Sequence, residues 1–433
     1  MTHLKHKLTL CWTAALSMAL ISASTLLAQR PLRTLHRFQG GDDGANPAAP
    51  LIQDEAGNFY GTTEYDGAGC CYGTVFELSP PANSDGRWTE TVLYAFLNDG
   101  DGARPTAGVI IDRAGNLYGT ASGSDSGEYG VVFELTPPSS NGGSWTETVL
   151  YSFQDGSDGA YPYGGLVSDP QGNLYGTTEN SVFELSPPAA NGGAWTFTLL
   201  HEFVCCTSDG WSSLAGLVRD SQGNLYGTTE WGGSYSGDYC AYLGCGTVFE
   251  VSPPAVAGGP WSETVLYRFG GEPDGQNPVN ALALDAHGNL YGSTFSGGNL
   301  GGGTAFELTP PAQPGDAWTK TIIHNFTYNS RDDGAVPIGT FIFDKVGNLY
   351  GATELGGNPC DHGYGCGTVF ELTPPGANGG AWTETVLHRF STEGPWPRQP
   401  GAGLIFDNRG NLLGTTLYGG NPRCSCGTVF EIP

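Results

Sequence analysis

The chain has 433 residues, with 43 acidic against 17 basic side chains and a formal net charge of −26 at pH 7. A field of that sign argues against nucleic acid and anionic membrane surfaces as partners, while it favours solubility and permits cation binding. The 69 glycines and 29 prolines point to a chain made of turns and short extended segments.

Residues 1–28 read as an export leader. Lys5 and Lys7 form a basic start and Leu8–Ala23 an apolar core, with cleavage after Ala28 and a rival site around Ser22-Ala23-Ser24. An uncleaved anchor is the lesser reading, because the apolar run is short for a span. Residues 29–433 then form one domain with no membrane span.

From Asp54 onward one phrase recurs: Asp112-Arg-Ala-Gly-Asn-Leu-Tyr-Gly-Thr120, with copies starting at Asp54, Asp169, Asp220, Asp285, Asp344 and Asp407. A period of roughly 50 to 65 residues means stacked supersecondary units that cannot bury their own faces alone. In the second unit, Ala107–Asp112, Asn116–Ala121, Val131–Leu135 and Trp145–Phe153 are four apolar runs broken by tight turns and Pro137-Pro138, and none has a helical stripe. The Asp-x-x-Gly-Asn turn closes a hairpin, with Asp accepting backbone hydrogen bonds and Gly taking a positive φ.

Seven such units predict an all-β fold, a seven-bladed β-propeller of four-stranded antiparallel blades. The blades span about 48–96, 106–153, 163–203, 213–269, 279–326, 338–390 and 401–433 plus 30–38. The outer strand begins at Trp88, Trp145, Trp195, Trp261, Trp318 and Trp382, and the seventh unit stops after its third strand. Leu35-His-Arg-Phe38 matches Leu387-His-Arg-Phe390, so the N-terminal strand, about Arg30–Phe38, is expected to complete the C-terminal blade and hide its edge.

Ten cysteines follow the leader, in five close sets: Cys70/Cys71, Cys205/Cys206, Cys240/Cys245, Cys360/Cys366 and Cys424/Cys426. An even count in an exported chain reads as disulfides. Pairing within Cys240/Cys245 and Cys360/Cys366 is easy, the adjacent pairs would be strained, and pairing between loops stays open. A zinc reading of these sets is weaker: there is no C-x-x-C, and only His362 lies near one. No metal ligands are assigned.

All ten cysteines fall in the loops joining strands two and three or successive blades, which share one face, here the upper face. Residues repeated in every blade, such as Asp54 and Glu77, read as structural. Strand two ends instead with Glu64, Glu179, Glu230 and Glu354 in four blades, and with Ser122, Phe295 and Leu417 in the others; Tyr65, Trp231 and Tyr418 lie beside them. Carboxylates next to flat aromatics suit a sugar, which gives Glu64, Tyr65, Glu179, Glu230, Trp231, Phe295, Glu354 and Tyr418 as candidate ligand-binding residues, against the plainer reading of an acidic rim. Blade three lacks the loop and leaves a notch at Thr178–Val182. The Asp-Gly-x-x-Pro inter-blade loops, and Asn98–Asp101 above all, make calcium possible, with turn chemistry the main explanation. Outer-strand His36, His201, His324 and His388 lie away from the axis, and no catalytic motif appears. No catalytic residue or cofactor is assigned.

Gly-Asn-Leu-Tyr-Gly-Thr-Thr, a Gly-rich loop and Gly-Thr-Val-Phe-Glu-Leu-Thr-Pro-Pro together resemble the GloVer tandem repeat of exported bacterial proteins over essentially the whole domain. The hairpin is more loosely similar to NHL-type propeller repeats. The resemblance implies a bacterial exported protein, extracellular or periplasmic, often with a C-terminal surface anchor, of which no sign precedes Pro433. It implies no activity and no site residues. The expected function is therefore glycan binding on the upper face, with an envelope scaffold or protein-interaction role as the alternative and a carbohydrate-active hydrolase or lyase behind both.

Overall fold

The computed structural model describes residues 30–433 except 67–71, 84–85, 125–126, 141, 191, 206, 234–239, 241, 257, 314, 329–330, 361–363, 377–378 and 392–396. The leader at 1–28, Cys70, Cys71, Cys206 and His362 lie outside the described residues.

Seven antiparallel sheets make the ring. Blade one comprises Ile52–Gln53, Phe59–Thr63, Thr74–Ser79 and Thr89–Ala95, and blades two to six repeat its order. Blade seven takes Ile405–Phe406, Leu412–Tyr418 and Thr428–Ile432 from the C-terminus and Arg33–Arg37 from the N-terminus. The short Arg398–Pro400 also pairs with Leu412–Tyr418. The first strand is shorter than expected: only Ile110–Ile111 of Ala107–Asp112 pairs regularly. The cause is crowding at the axis. Ala107-Gly108 leaves the sheet to meet the neighbouring blade, where Thr62 donates to the Ala107 carbonyl and a Cβ on Gly108 would lie 2.7 Å from the Pro50 carbonyl.

The repeat motif is explained by its contacts. Asp54 Oδ1 accepts the Asn58 N–H at 2.8 Å, its Oδ2 accepts the Asn58 amide at 2.9 Å, and the same pair of bonds forms in all seven blades. The glycine of Leu-Tyr-Gly lies under the phenylalanine of strand three. A Cβ on Gly61 would sit 2.7 Å from the Phe76 ring, and the other six copies are as tight. The following tyrosine–glutamate contact, as from Tyr118 to Glu134 at 3.1 Å, cannot form in blade seven, where Leu413 replaces tyrosine. There Glu431 accepts from Asn411 at 2.9 Å and from Arg33 of the closing strand at 3.0 Å.

Blades are held together by aromatic edges. The phenylalanine ending each outer strand meets the strand-three phenylalanine of the next blade: Phe38–Phe76, Phe96–Phe133, Phe153–Phe183, Phe203–Phe249, Phe269–Phe306, Phe326–Phe370 and Phe390–Phe430, with centroids 5.0–5.3 Å apart. Nearer the axis, Thr120, Thr177, Thr228 and Thr415 repeat the Thr62 bond to the next blade's backbone.

A second threonine closes the base of the upper loop. Thr63 and Thr74 share a hydroxyl bond of 2.8 Å, and Thr229–Thr247, Thr294–Thr304, Thr353–Thr368, Thr416–Thr428 and Thr178–Ser181 do the same. Blade two replaces both members, with Ala121 opposite Val131. Losing one buried partner strands the other, whereas an apolar pair costs little. Thr63→Ala is therefore expected to cost about 1–2 kcal/mol, and adding Thr74→Val to recover about 1 kcal/mol of it. A double-mutant cycle in urea checks this, and strictly additive losses would contradict it.

Candidate functional site

Where strand two leaves the sheet, its next residue pairs with the inter-blade loop. The N–H of Glu64 donates to Asn46 O at 3.1 Å, Glu230 to Ser212 O at 2.8 Å and Phe295 to Asn277 O at 2.9 Å. The loop partners share one unusual conformation. Asn46, Arg104, Tyr161, Ser212, Asn277, Val336 and Gln399 all have φ between 52° and 62°. A non-glycine residue held left-handed costs roughly 1–2 kcal/mol. Here it recurs once per blade around the upper rim, before proline in six cases. Sequence reasoning missed this second ring; its signal was the residue before proline in Asp-Gly-x-x-Pro.

The candidate residues fall into two groups. Tyr65 hydrogen-bonds Glu64, and that bond, reinforced by burial, pushes the phenol up to about 12. Arg104 stands 6.0 Å from the Tyr65 ring, and Tyr418 lies within electrostatic reach of it. Tyr65 and Tyr418 are 38% and 39% exposed. Tyr418 also lines a cleft of about 470 Å³ with Glu354, Tyr364, Arg398, Gln399 and the Cys360 loop. Arg398 is paired across the strand from Tyr418 and bonds Ser425 Oγ at 3.1 Å. Burial raises the Glu354 carboxyl above its usual range.

The second group lies at blades three and four. Glu230 accepts from Ser212 at 3.2 Å and from the Trp231 side chain; burial raises its pKa and nearby Glu179 adds to the rise. Trp231 pairs with Trp211 through two backbone bonds of 3.0 Å. The tight turn of blade three is present, with the Thr178 N–H on Ser181 O at 2.9 Å. Phe295 is 42% exposed and does not line the Tyr418 cleft.

Among the described residues, three disulfides lie on this face, each inside one loop: Cys240–Cys245, Cys360–Cys366 and Cys424–Cys426. Cys205 is exposed. In the loop singled out for calcium, Asp101 accepts from the N–H groups of Leu97 and Asp99 and from the Tyr94 hydroxyl, which is turn chemistry. The axis holds a cavity of about 380 Å³ lined by mostly small and aliphatic residues from all seven blades. Among the described residues, no helix is long and apolar enough to cross a membrane.

Ring, closure and loop-bearing rim define a seven-bladed β-propeller displaying its variable segments on one face. The chain matches the Gloeobacter/Verrucomicrobia repeat over residues 24–183 and again over 179–430, and it belongs to that family. No curated protein matches it. Among solved structures it is similar to the extracellular domain of the one-component system BT4673 from B. thetaiotaomicron, at 12% identity and TM-score 0.52, covering 93% of this chain and 41% of that one. The extracellular domain of the hybrid two-component system BT3049 from the same organism gives 12% identity, TM-score 0.49 and the same coverages. The PQQ domain of pyranose dehydrogenase from Coprinopsis cinerea gives 13% identity and TM-score 0.41, covering 90% of this chain and 99% of that one. This chain thus spans under half the length of the two B. thetaiotaomicron chains, and likeness at this identity speaks for the fold alone.

Proposed function

We propose that this is an exported, non-enzymatic propeller that binds a glycan on its upper face, at the rim carrying Tyr65, Glu354 and Tyr418. One observation carries the reading: the exposed phenol rings of Tyr364 and Tyr418, the Glu354 carboxylate and the Arg398 guanidinium line one open cleft. Rings stack on the apolar face of a sugar, while Glu354 and Arg398 reach its hydroxyls. Export is supported by the leader-like residues 1–28 and by disulfides, which persist in oxidising compartments.

A glycan array probed with the oxidised protein tests this. Binding to one sugar class is expected, weakened about tenfold by Tyr418→Ala, the size of one lost aromatic contact of ~1.4 kcal/mol. Trp231→Ala, in the other group, is expected to leave affinity unchanged. A blank array from folded protein would sink the glycan reading and favour an envelope protein as partner. Turnover abolished by Glu354→Gln would instead make it a carbohydrate-active enzyme.

A further inference from the structure

The outer rim repeats a second pattern that the upper-face reading does not use. At each seam, one residue comes from the end of an outer strand, one from the inter-blade loop, and one from the next blade's outer strand. Among the described residues, three seams hold the same trio: His36, Asp43 and Glu90; His201, Asp209 and Glu263; His324, Asp333 and Glu384. In each, one nitrogen and two carboxylate oxygens lie within 4.8 Å of one another. The histidine Nε2 is 3.1–3.2 Å from the aspartate.

Two independent features point to a missing positive charge. Oε1 of Glu90, Glu263 and Glu384 is buried with no hydrogen-bond partner. A buried carboxylate oxygen left so costs free energy unless a cation or proton meets it. The second feature is an internal comparison. At the seam between blades four and five the trio reads Tyr267, Asp274 and Lys320. There the protein supplies its own cation: Lys320 Nζ sits 2.6 Å from Asp274 Oδ1 and 4.8 Å from the Phe269 ring centre, its side chain 4% exposed. Where lysine becomes glutamate at the three trio seams, tyrosine becomes histidine, so a tethered ammonium is exchanged for a third metal-type ligand. The seam of Tyr94, Asp101 and Glu147 has the same unpartnered glutamate oxygen but keeps tyrosine, so only the trio seams add the nitrogen to it.

We propose that the three His-Asp-Glu trios each bind a divalent transition ion of the zinc class, stapling neighbouring blades. One imidazole with two carboxylates suits such ions, whereas calcium asks for six or more oxygens. Zinc at ~2.1 Å from each atom needs ligands about 3.4 Å apart, so the His–Asp pair, at 3.1–3.2 Å, must open slightly and the glutamate must close in. The rival occupant is a proton: burial lifts Glu90 to about 8 and Glu263 and Glu384 to about 7, with Asp43, Asp209 and Asp333 adding to the rise.

The experiment counts metal. The oxidised full chain is stripped with EDTA, dialysed against zinc and then metal-free buffer, and assayed by mass spectrometry. Three equivalents are expected. The double variant His201→Tyr with Glu263→Lys copies the natural lysine seam and is expected to fold and retain one equivalent fewer. His324→Gln, a milder change, is expected to lose one equivalent too. No retained zinc, or an unchanged count in both variants, overturns the proposal and leaves the protonated pair as the occupant.

Discussion

Phe38→Ala is expected to destabilise the protein by about 4 kcal/mol, the cost of emptying a fully buried aromatic site. Phe38 is 0% exposed, and its ring meets Phe76 at 5.2 Å and His36 at 4.7 Å. It is the only one of the seven seam phenylalanines that arrives from the N-terminus, so it reports whether the ring is truly closed there. Urea denaturation checks this against Phe390→Ala, the equivalent contact within the continuous chain. Similar losses are expected. A loss below about 1 kcal/mol at Phe38 alone would mean that the closing strand is not held. Removing residues up to Phe38 altogether is expected to be worse. It would bare the edge of Thr428–Ile432 and take Arg33 from Glu431, whose side chain is only 7% exposed.

The second large effect lies at the axis. Gly339→Ala is expected to cost about 4 kcal/mol, combining overpacking with a residue forced into the left-handed region. Gly339 has φ 69°, and a Cβ there would lie 1.9 Å from Gly403 N and 2.3 Å from Gly403 Cα. These are backbone atoms of the next blade, which no rotamer can move aside. The close approach falls at an irregular seam. Blade six has Ala352 where five blades place a threonine that bonds the next blade. One seam earlier, Asn280 reaches Pro337 O at 2.9 Å and accepts the Gly339 N–H at 2.7 Å. Gly376→Ala, with nothing within 4 Å, is the control. Unfolding free energies of the two, from denaturant titration, that differ by less than about 1 kcal/mol would show that the axis can relax.

Fold and closure were legible because each blade repeats the same local chemistry. Asp54 and its partners announce the hairpin, and Leu35-His-Arg-Phe38 repeats an outer-strand end letter for letter. The candidate site was legible only as a ring of positions. That Tyr65 and Tyr418 become neighbours while Phe295 stays out of the Tyr418 cleft follows from how blades one and seven meet, and one blade's spacing does not carry that. The outer-strand histidines were set aside because they lie far from the axis. The informative signal was joint variation across copies, with Lys320 opposite Tyr267 and Glu263 opposite His201. That signal appears only once the seam, rather than the blade, is taken as the unit.

The hydroxyl clasp at the base of each upper loop has a consequence for change over time. Its two members are 3 residues apart in blade three and 18 in blade four, yet the bond is 2.7 Å in one and 2.8 Å in the other. The sheet below therefore does not register what hangs above the clasp. Segments can be lengthened, cross-linked or exchanged between blades without a new solution to the core, since longer closures add little entropy cost. The ring behaves as a frame with interchangeable inserts, a property that both natural drift and loop grafting can use.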